Sequence, residues 1–129
     1  MSSIIGFTFG SFDLFHYGRV ILFKEFKDTC DNLVVAVHAG IHTDKYIQSV
    51  DERVGQIWSL RFVDRVVIYE TDEELNTIYR RVNPDIHLVE ESKHGTQFIG
   101  SDGMNVKFIS NNPKYTSSGL KSRIIQSEG

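Results

Sequence analysis

Cysteine and proline are scarce in this chain, positive charge has no surplus, and each shortage narrows what the protein can be. The single cysteine, Cys30, has no partner for an internal disulfide, so burial and hydrogen bonding must hold the fold. No helix start or partner base is evident beside it, so an incidental or buried thiol fits better than a nucleophile, and a cytoplasmic setting is expected. Two prolines and ten glycines in 129 residues are too few for a fibrous or disordered chain. No apolar run nears the roughly 20 residues needed to cross a bilayer, so no membrane role is expected. The opening segment, Met1–Gly10, lacks a basic stretch and reads as a first strand rather than a secretion signal. A net charge of −3 argues against a general nucleic-acid binder. Any polyanionic ligand must then be held by a local cluster of positive groups.

What is present is an ordinary globular balance, 40% apolar and 24% charged, in a length that suits one domain over residues 1–129. Ile4–Phe9, Asn32–His38, Arg65–Tyr69, Asp85–Val89 and Val106–Ile109 are short apolar runs that suit strands covered on both faces. Between them lie stretches of helical spacing. Gly18–Thr29 sets Val20, Phe23 and Phe26 near one face, and Asp51–Phe62 does the same with Val54, Ile57 and Trp58. Thr71–Val82 opens on a capping threonine followed by acids, closes on Arg80 and Arg81, and is stopped by Asn83-Pro84. A last helix is predicted from about Ser117 to Gln126, and a loop with a short helix from Glu90 to Gly103. This order predicts an α/β fold: a single doubly wound, mostly parallel five-stranded sheet, with ligands at the carboxyl ends of the strands.

The informative segment is Thr8–Arg19, TFGSFDLFHYGR, which leaves the first strand and opens the first helix. Open α/β sheets bind phosphates at such a turn. Gly10 lets the backbone approach a ligand closely, and Asp13 is suited to fix the loop by accepting backbone amides. His16 and Arg19, three residues apart, face the same side of one helical turn. The segment is neither a Walker loop nor a dinucleotide fingerprint, because the Gly-Lys-Ser/Thr ending is absent and Gly10 and Gly18 are wrongly spaced. Taken singly, Phe9, Phe12, Leu14 and Phe15 read as core and His16 as a satisfied helix-start residue. Their gathering at one strand-to-helix turn points to an anion site.

GSFDLFHYGR resembles the G-x-F-D-x-x-H-x-G-H signature of the cytidylyltransferase family, most closely its small glycerol-3-phosphate members. Gly10, Phe12, Asp13, His16 and Gly18 match, and Arg19 replaces the second histidine. DERVGQIWSLRFVDRVV, from Asp51, is similar to the family's helix and Arg-Tyr-Val-Asp-like segment, with Arg53 and Arg61 on its basic positions. YTSSGLK resembles a second phosphate-binding signature through Thr116, Ser117, Ser118 and Lys121.

The resemblance implies a Rossmann-like nucleotidyltransferase fold. It also implies transfer of CMP from CTP to a phosphorylated alcohol or sugar, with pyrophosphate leaving. His16 would donate to the α-phosphate, Arg19 would act as a further phosphate donor, and Lys121 with Thr116–Ser118 would hold the β- and γ-phosphates. Thr8, Phe9, Gly10, Phe12, Asp13, Gly18 and Arg61 complete the implied nucleotide site. The loop after the second strand is short, and its basic role falls to Lys45. Magnesium is expected on the substrate phosphates rather than in a protein cage, and a homodimer is expected from the family. Arginine at 19 suits a donor role and not a proton carrier, because it does not release its proton near neutral pH.

Other departures stand out. Glu90 and Glu91 follow the fourth strand where the family has a glycine and then acids, which narrows the pocket or selects an amine- or hydroxyl-bearing acceptor. Gly40 replaces a common acid, and Asn111 and Asn112 stand where an arginine is common, with Lys114 a substitute. His38 and His87 read as hydrogen-bonded core residues, His42 and His94 complete no metal set, and Trp58 and the phenylalanines read as core. The competing readings are an adenylyl-transferring relative and a non-catalytic binding module. A response-regulator-like domain lacks the acidic pair its first strand would need.

Overall fold

In the computed structural model, which describes residues 3–14, 16–40, 44–90 and 105–109, strands and helices alternate. They are β1 (Ile5–Gly10), α1 (Tyr17–Asp28), β2 (Asn32–His38), α2 (Val50–Trp58), β3 (Arg65–Tyr69), α3 (Asp72–Val82), β4 (Ile86–Glu90) and β5 (Val106–Ile109). The strands form one sheet in the order β3-β2-β1-β4-β5, and every pairing is parallel. The carboxyl ends of all five strands therefore point the same way. Glu90, expected to open a loop running to Gly103, instead ends β4; the rest of that segment and the predicted final helix lie outside the described residues.

The interior strand β2, paired between β3 and β1, shows why the fold has three layers. Along β2, Leu33, Val35 and Val37 pack with Phe23 and Phe26 of α1 and Ile57 of α2. The alternate residues, Val34 and Ala36, pack with Phe7, Tyr69 and Leu75 on the α3 side. A continuous apolar strand is thus covered on both faces, because successive side chains point to opposite sides of a sheet. Truncating a buried ring such as Phe23 would remove about 3–5 kcal/mol.

The helices differ from the sequence pattern in one instructive way. α2 ends at Trp58, where Ser59 turns its amide and hydroxyl back on the Gly55 carbonyl, and it does not run on to Phe62. Its inward residues are Arg53 and Ile57, while Trp58 is 58% exposed rather than core. The buried line is therefore i, i+4, with an arginine in it. α3 keeps the expected cap: the Thr71 hydroxyl accepts the Glu74 amide.

His87 of β4 is fully buried among the rings of Phe7, Phe9 and Tyr79. Burial pushes its imidazole down to about 4 from the ordinary 6.5. Below pH 6.5 the unfolded chain takes up a proton that the folded chain refuses, so stability falls as pH drops from 6.5 towards about 4. The full shift is worth about 3 kcal/mol. Denaturant unfolding of the parent at pH 7 and pH 4.5 should show most of that loss, and His87→Leu should remove the larger part of it. An equally steep loss in the variant would assign it to other groups.

Candidate active site

The loop leaving β1 is built around two residues in a conformation most side chains avoid. Phe12 and Leu14 have φ of 54° and 53°, in the left-handed region, which costs about 1–2 kcal/mol each for an ordinary residue. The fold repays this from below and from the side. The Phe12 ring is buried against Phe23, with centroids 5.3 Å apart. A Cβ on Gly10 would meet that ring at 3.2 Å, so the missing side chain at Gly10 makes room for Phe12. Between the two strained residues, the Asp13 carboxylate accepts the amides of Ile47 and Gln48, both at 2.9 Å. The Leu14 amide in turn donates to Gln48 Oε1 at 2.9 Å. Asp13 thus fixes the loop through backbone amides, as the sequence suggested.

Beneath these contacts lies Arg53, 1% exposed. Its guanidinium donates to four carbonyls: Ser11 (3.0 Å), His38 (2.6 Å), Ala39 (2.7 Å) and Gln48 (3.2 Å). The Tyr46 ring covers it, 4.5 Å from Cζ to centroid. The Tyr46 hydroxyl lies 2.8 Å from His38 Nδ1, and His38 Nε2 lies 3.1 Å from the Glu70 carbonyl. A carbonyl only accepts, so Nε2 is the donor in that contact. One buried cation therefore joins the end of β1, the end of β2 and the approach to α2. A cleft of about 490 Å³ opens beside it, lined by Ala39, Gly40, Tyr46, Gln48 and Ser49 among others. Burial raises the Asp13 carboxyl, but the amides of Ile47, Gln48 and Leu14 and the charge of Arg53 outweigh it and hold Asp13 below its ordinary value.

His16 caps α1, with Nδ1 accepting the Gly18 amide at 3.1 Å. Accepting there requires a bare Nδ1, so the neutral ring carries its proton on Nε2 as a donor. Burial and then the charge of Arg19 lower the His16 pKa and favour that neutral form. Arg19, in the first turn of α1, forms an ion pair through Nη1 with Oε1 of Glu90 at the end of β4.

These groups stand at the carboxyl ends of β1, β2 and β4, where the winding of the sheet reverses beside β1. A sequence profile of the cytidylyltransferase-like family matches residues 7–111. The chain belongs to the cytidylyltransferase-like family. It is 32% identical over 102 residues to the bifunctional protein HldE of Campylobacter concisus (strain 13826), covering 74% of this chain and 21% of that protein. It is 36% identical over 109 residues to HldE of Caulobacter sp. (strain K31), covering 76% and 21%. The chain thus spans about a fifth of the length of the curated relatives it matches. The lipopolysaccharide core biosynthesis protein from Thermoplasma volcanium GSS1 shares the fold, with a TM-score of 0.65, 24% identity, and coverage of 86% of this chain and 98% of that one.

The positions of the cytidylyltransferase-like signature divide by what they touch. Thr8 is buried in β1, and Phe9 packs beside Tyr69 and His87. Gly10, Phe12 and Asp13 shape the loop, and buried Gly18 supplies the amide that orients His16. Lys45, exposed after β2, lies at the carboxyl end of the strands. Arg61 does not: it sits in the exposed turn after α2, stacked over Phe62. That turn closes on the start of β2, with the Asp64 amide 3.0 Å from the Leu33 carbonyl, at the opposite end of the parallel strands. Thr116, Ser117, Ser118 and Lys121 lie outside the described residues, as do Glu91, His42, Asn111 and Lys114. Gln48, Tyr46 and the buried role of Arg53 were not foreseen, although the match of Arg53 to a basic family position marked it.

Asp13→Asn keeps one acceptor and turns an amine towards a backbone amide. The variant should unfold at lower denaturant, losing about 1–3 kcal/mol. An unchanged midpoint would mean that the Ile47 and Gln48 amides find other acceptors.

Proposed function

We propose that the chain transfers a nucleoside monophosphate from a nucleoside triphosphate to a phosphorylated small molecule. An acceptor phosphate oxygen bonds to the α-phosphorus, the bond from that phosphorus to the β-bridging oxygen breaks, and pyrophosphate leaves. The attacking phosphate is ionised at neutral pH, so no side chain need remove a proton. Catalysis is then positioning and neutralisation of charge. The observation that carries this reading is the clamped loop after β1, which presents a neutral His16 with Nε2–H as donor in the first turn of a helix. That donor suits a phosphoryl oxygen of the α-phosphate, and the helix start favours the same anion.

Arg19 lies in the same turn as a second donor, and Lys45, next in the chain to the cleft residue Tyr46, is the proposed partner of an acceptor phosphate. Thr116, Ser117, Ser118 and Lys121 are the proposed partners of the β- and γ-phosphates. Magnesium enters the proposal on the triphosphate itself. Asp13 is already engaged by two amides, and no three metal-binding side chains converge among the described residues. CTP with a phosphorylated alcohol or sugar is the first pair to test, on the strength of the loop signature. ATP is the second, because these contacts read phosphates and not bases, and because the relatives named above are HldE proteins rather than glycerol-phosphate enzymes.

The test follows pyrophosphate release from CTP, ATP, GTP and UTP with magnesium and a panel of phosphorylated alcohols and sugars. One pair should turn over, and His16→Ala should lower its rate by about 10²-fold or more. Release that is unaffected by His16→Ala would remove the proposed site. No release from any pair, with nucleotide still bound, would leave a binding module.

A further inference from the structure

Arg19 and Glu90 come from opposite sides of the crevice between β1 and β4. Arg19 rises from the first turn of α1, which follows β1, and Glu90 is the last residue of β4. In the sheet order β3-β2-β1-β4-β5, this is the point where the chain switches direction, the place where open α/β sheets receive ligands. The two side chains touch through Nη1 and Oε1 and are only 24% and 14% exposed.

A guanidinium in such a place keeps its charge, because it does not deprotonate in proteins. It must therefore have an anion. In the ligand-free protein that anion is Glu90. A phosphate arriving at the His16 loop meets an arginine already neutralised and a carboxylate of its own sign beside it. Two anions then compete for one fork of donors. The geometry points to Glu90 as the residue that sets the affinity of this site for phosphate, by competing with the ligand for Arg19. This rests on the nucleotidyl-transfer reading given above.

The competition gives Arg19 two states. Paired with Glu90, it closes the crevice without a ligand. Exchanged onto phosphate, it adds a charged donor one helical turn from His16. When pyrophosphate departs, Glu90 recovers its partner, which opposes rebinding of the product. A purely architectural ion pair makes the opposite demand: removing Glu90 would then loosen Arg19 and weaken every ligand.

Calorimetric titration with CTP, ATP and inorganic tripolyphosphate separates the two. Glu90→Gln should bind all three tighter than the parent, by about tenfold or more, the scale of one screened unit charge near a surface. Glu90→Asp, which keeps the charge on a shorter stem, should gain less. The gain should vanish when Arg19→Gln/Glu90→Gln is compared with Arg19→Gln. Without ligand, Glu90→Gln should melt below the parent, and saturating triphosphate should narrow that gap. Equal or weaker binding by both Glu90 variants would overturn the competition and make Glu90 an aligning partner of Arg19. A parent that turns over while Glu90→Gln binds no tighter sinks the competition alone. A parent that binds triphosphate, tighter in Glu90→Gln, yet never releases pyrophosphate sinks the transfer reading and keeps the competition.

Discussion

A guanidinium buried to 1% exposure is the tie on which the candidate site depends. Burying a charge is costly unless it is fully hydrogen-bonded, and Arg53 meets that condition with carbonyls from Ser11, His38, Ala39 and Gln48. Those carbonyls belong to separate stretches of chain, so one side chain holds the end of β1, the end of β2 and the approach to α2 together. Asp13 completes the arrangement with the opposite sign, accepting amides from the segment whose Gln48 carbonyl Arg53 also binds. Removing Arg53 leaves four carbonyls unmet, and removing Asp13 leaves the Ile47 and Gln48 amides unmet. The strained φ angles at Phe12 and Leu14 persist because both ends of their loop are over-determined.

The proposed function rests on what that tie leaves projecting. With the loop fixed, His16 enters α1 as its cap, and the cap bond decides which ring nitrogen faces outward. Local helix chemistry and site chemistry are one feature here: the bond that starts the helix also sets the tautomer. The ion pair between Arg19 and Glu90 then governs how much positive charge the crevice offers. Two departures from the family signature, an arginine for a histidine and a glutamate for a glycine, meet each other across the switch point.

Much of the fold was legible because its signals are local. Continuous apolar runs located the described strands and the period-3.6 pattern the described helices, and Thr71 and Arg80-Arg81 marked the ends of α3. Asp13 was legible as a loop-fixing acid because its chemistry has few other uses in such a turn. Arg53 was not, since an arginine on a helix reads as solvent-facing until the carbonyls that pair with it are brought close by tertiary structure. Trp58 was misplaced by the same ambiguity, since a one-residue rotation of the stripe exchanged it for Arg53 as the inward residue. Arg61 matched a basic motif position, but a turn that leads from a helix into a parallel strand falls at the amino ends of the sheet, away from the candidate site. The pairing of Arg19 with Glu90 spans most of the chain and leaves no local trace.

Amide hydrogen exchange on the parent and on Arg53→Met probes the tie directly, because methionine keeps much of the apolar stem and removes every donor. If Arg53 shapes the site, protection should fall first at Leu14, Ile47 and Gln48, while the β2 amides from Val34 to Val37 keep theirs. Unchanged protection at Ile47 and Gln48, or an even loss across the sheet, would show that the loops hold their shape without it.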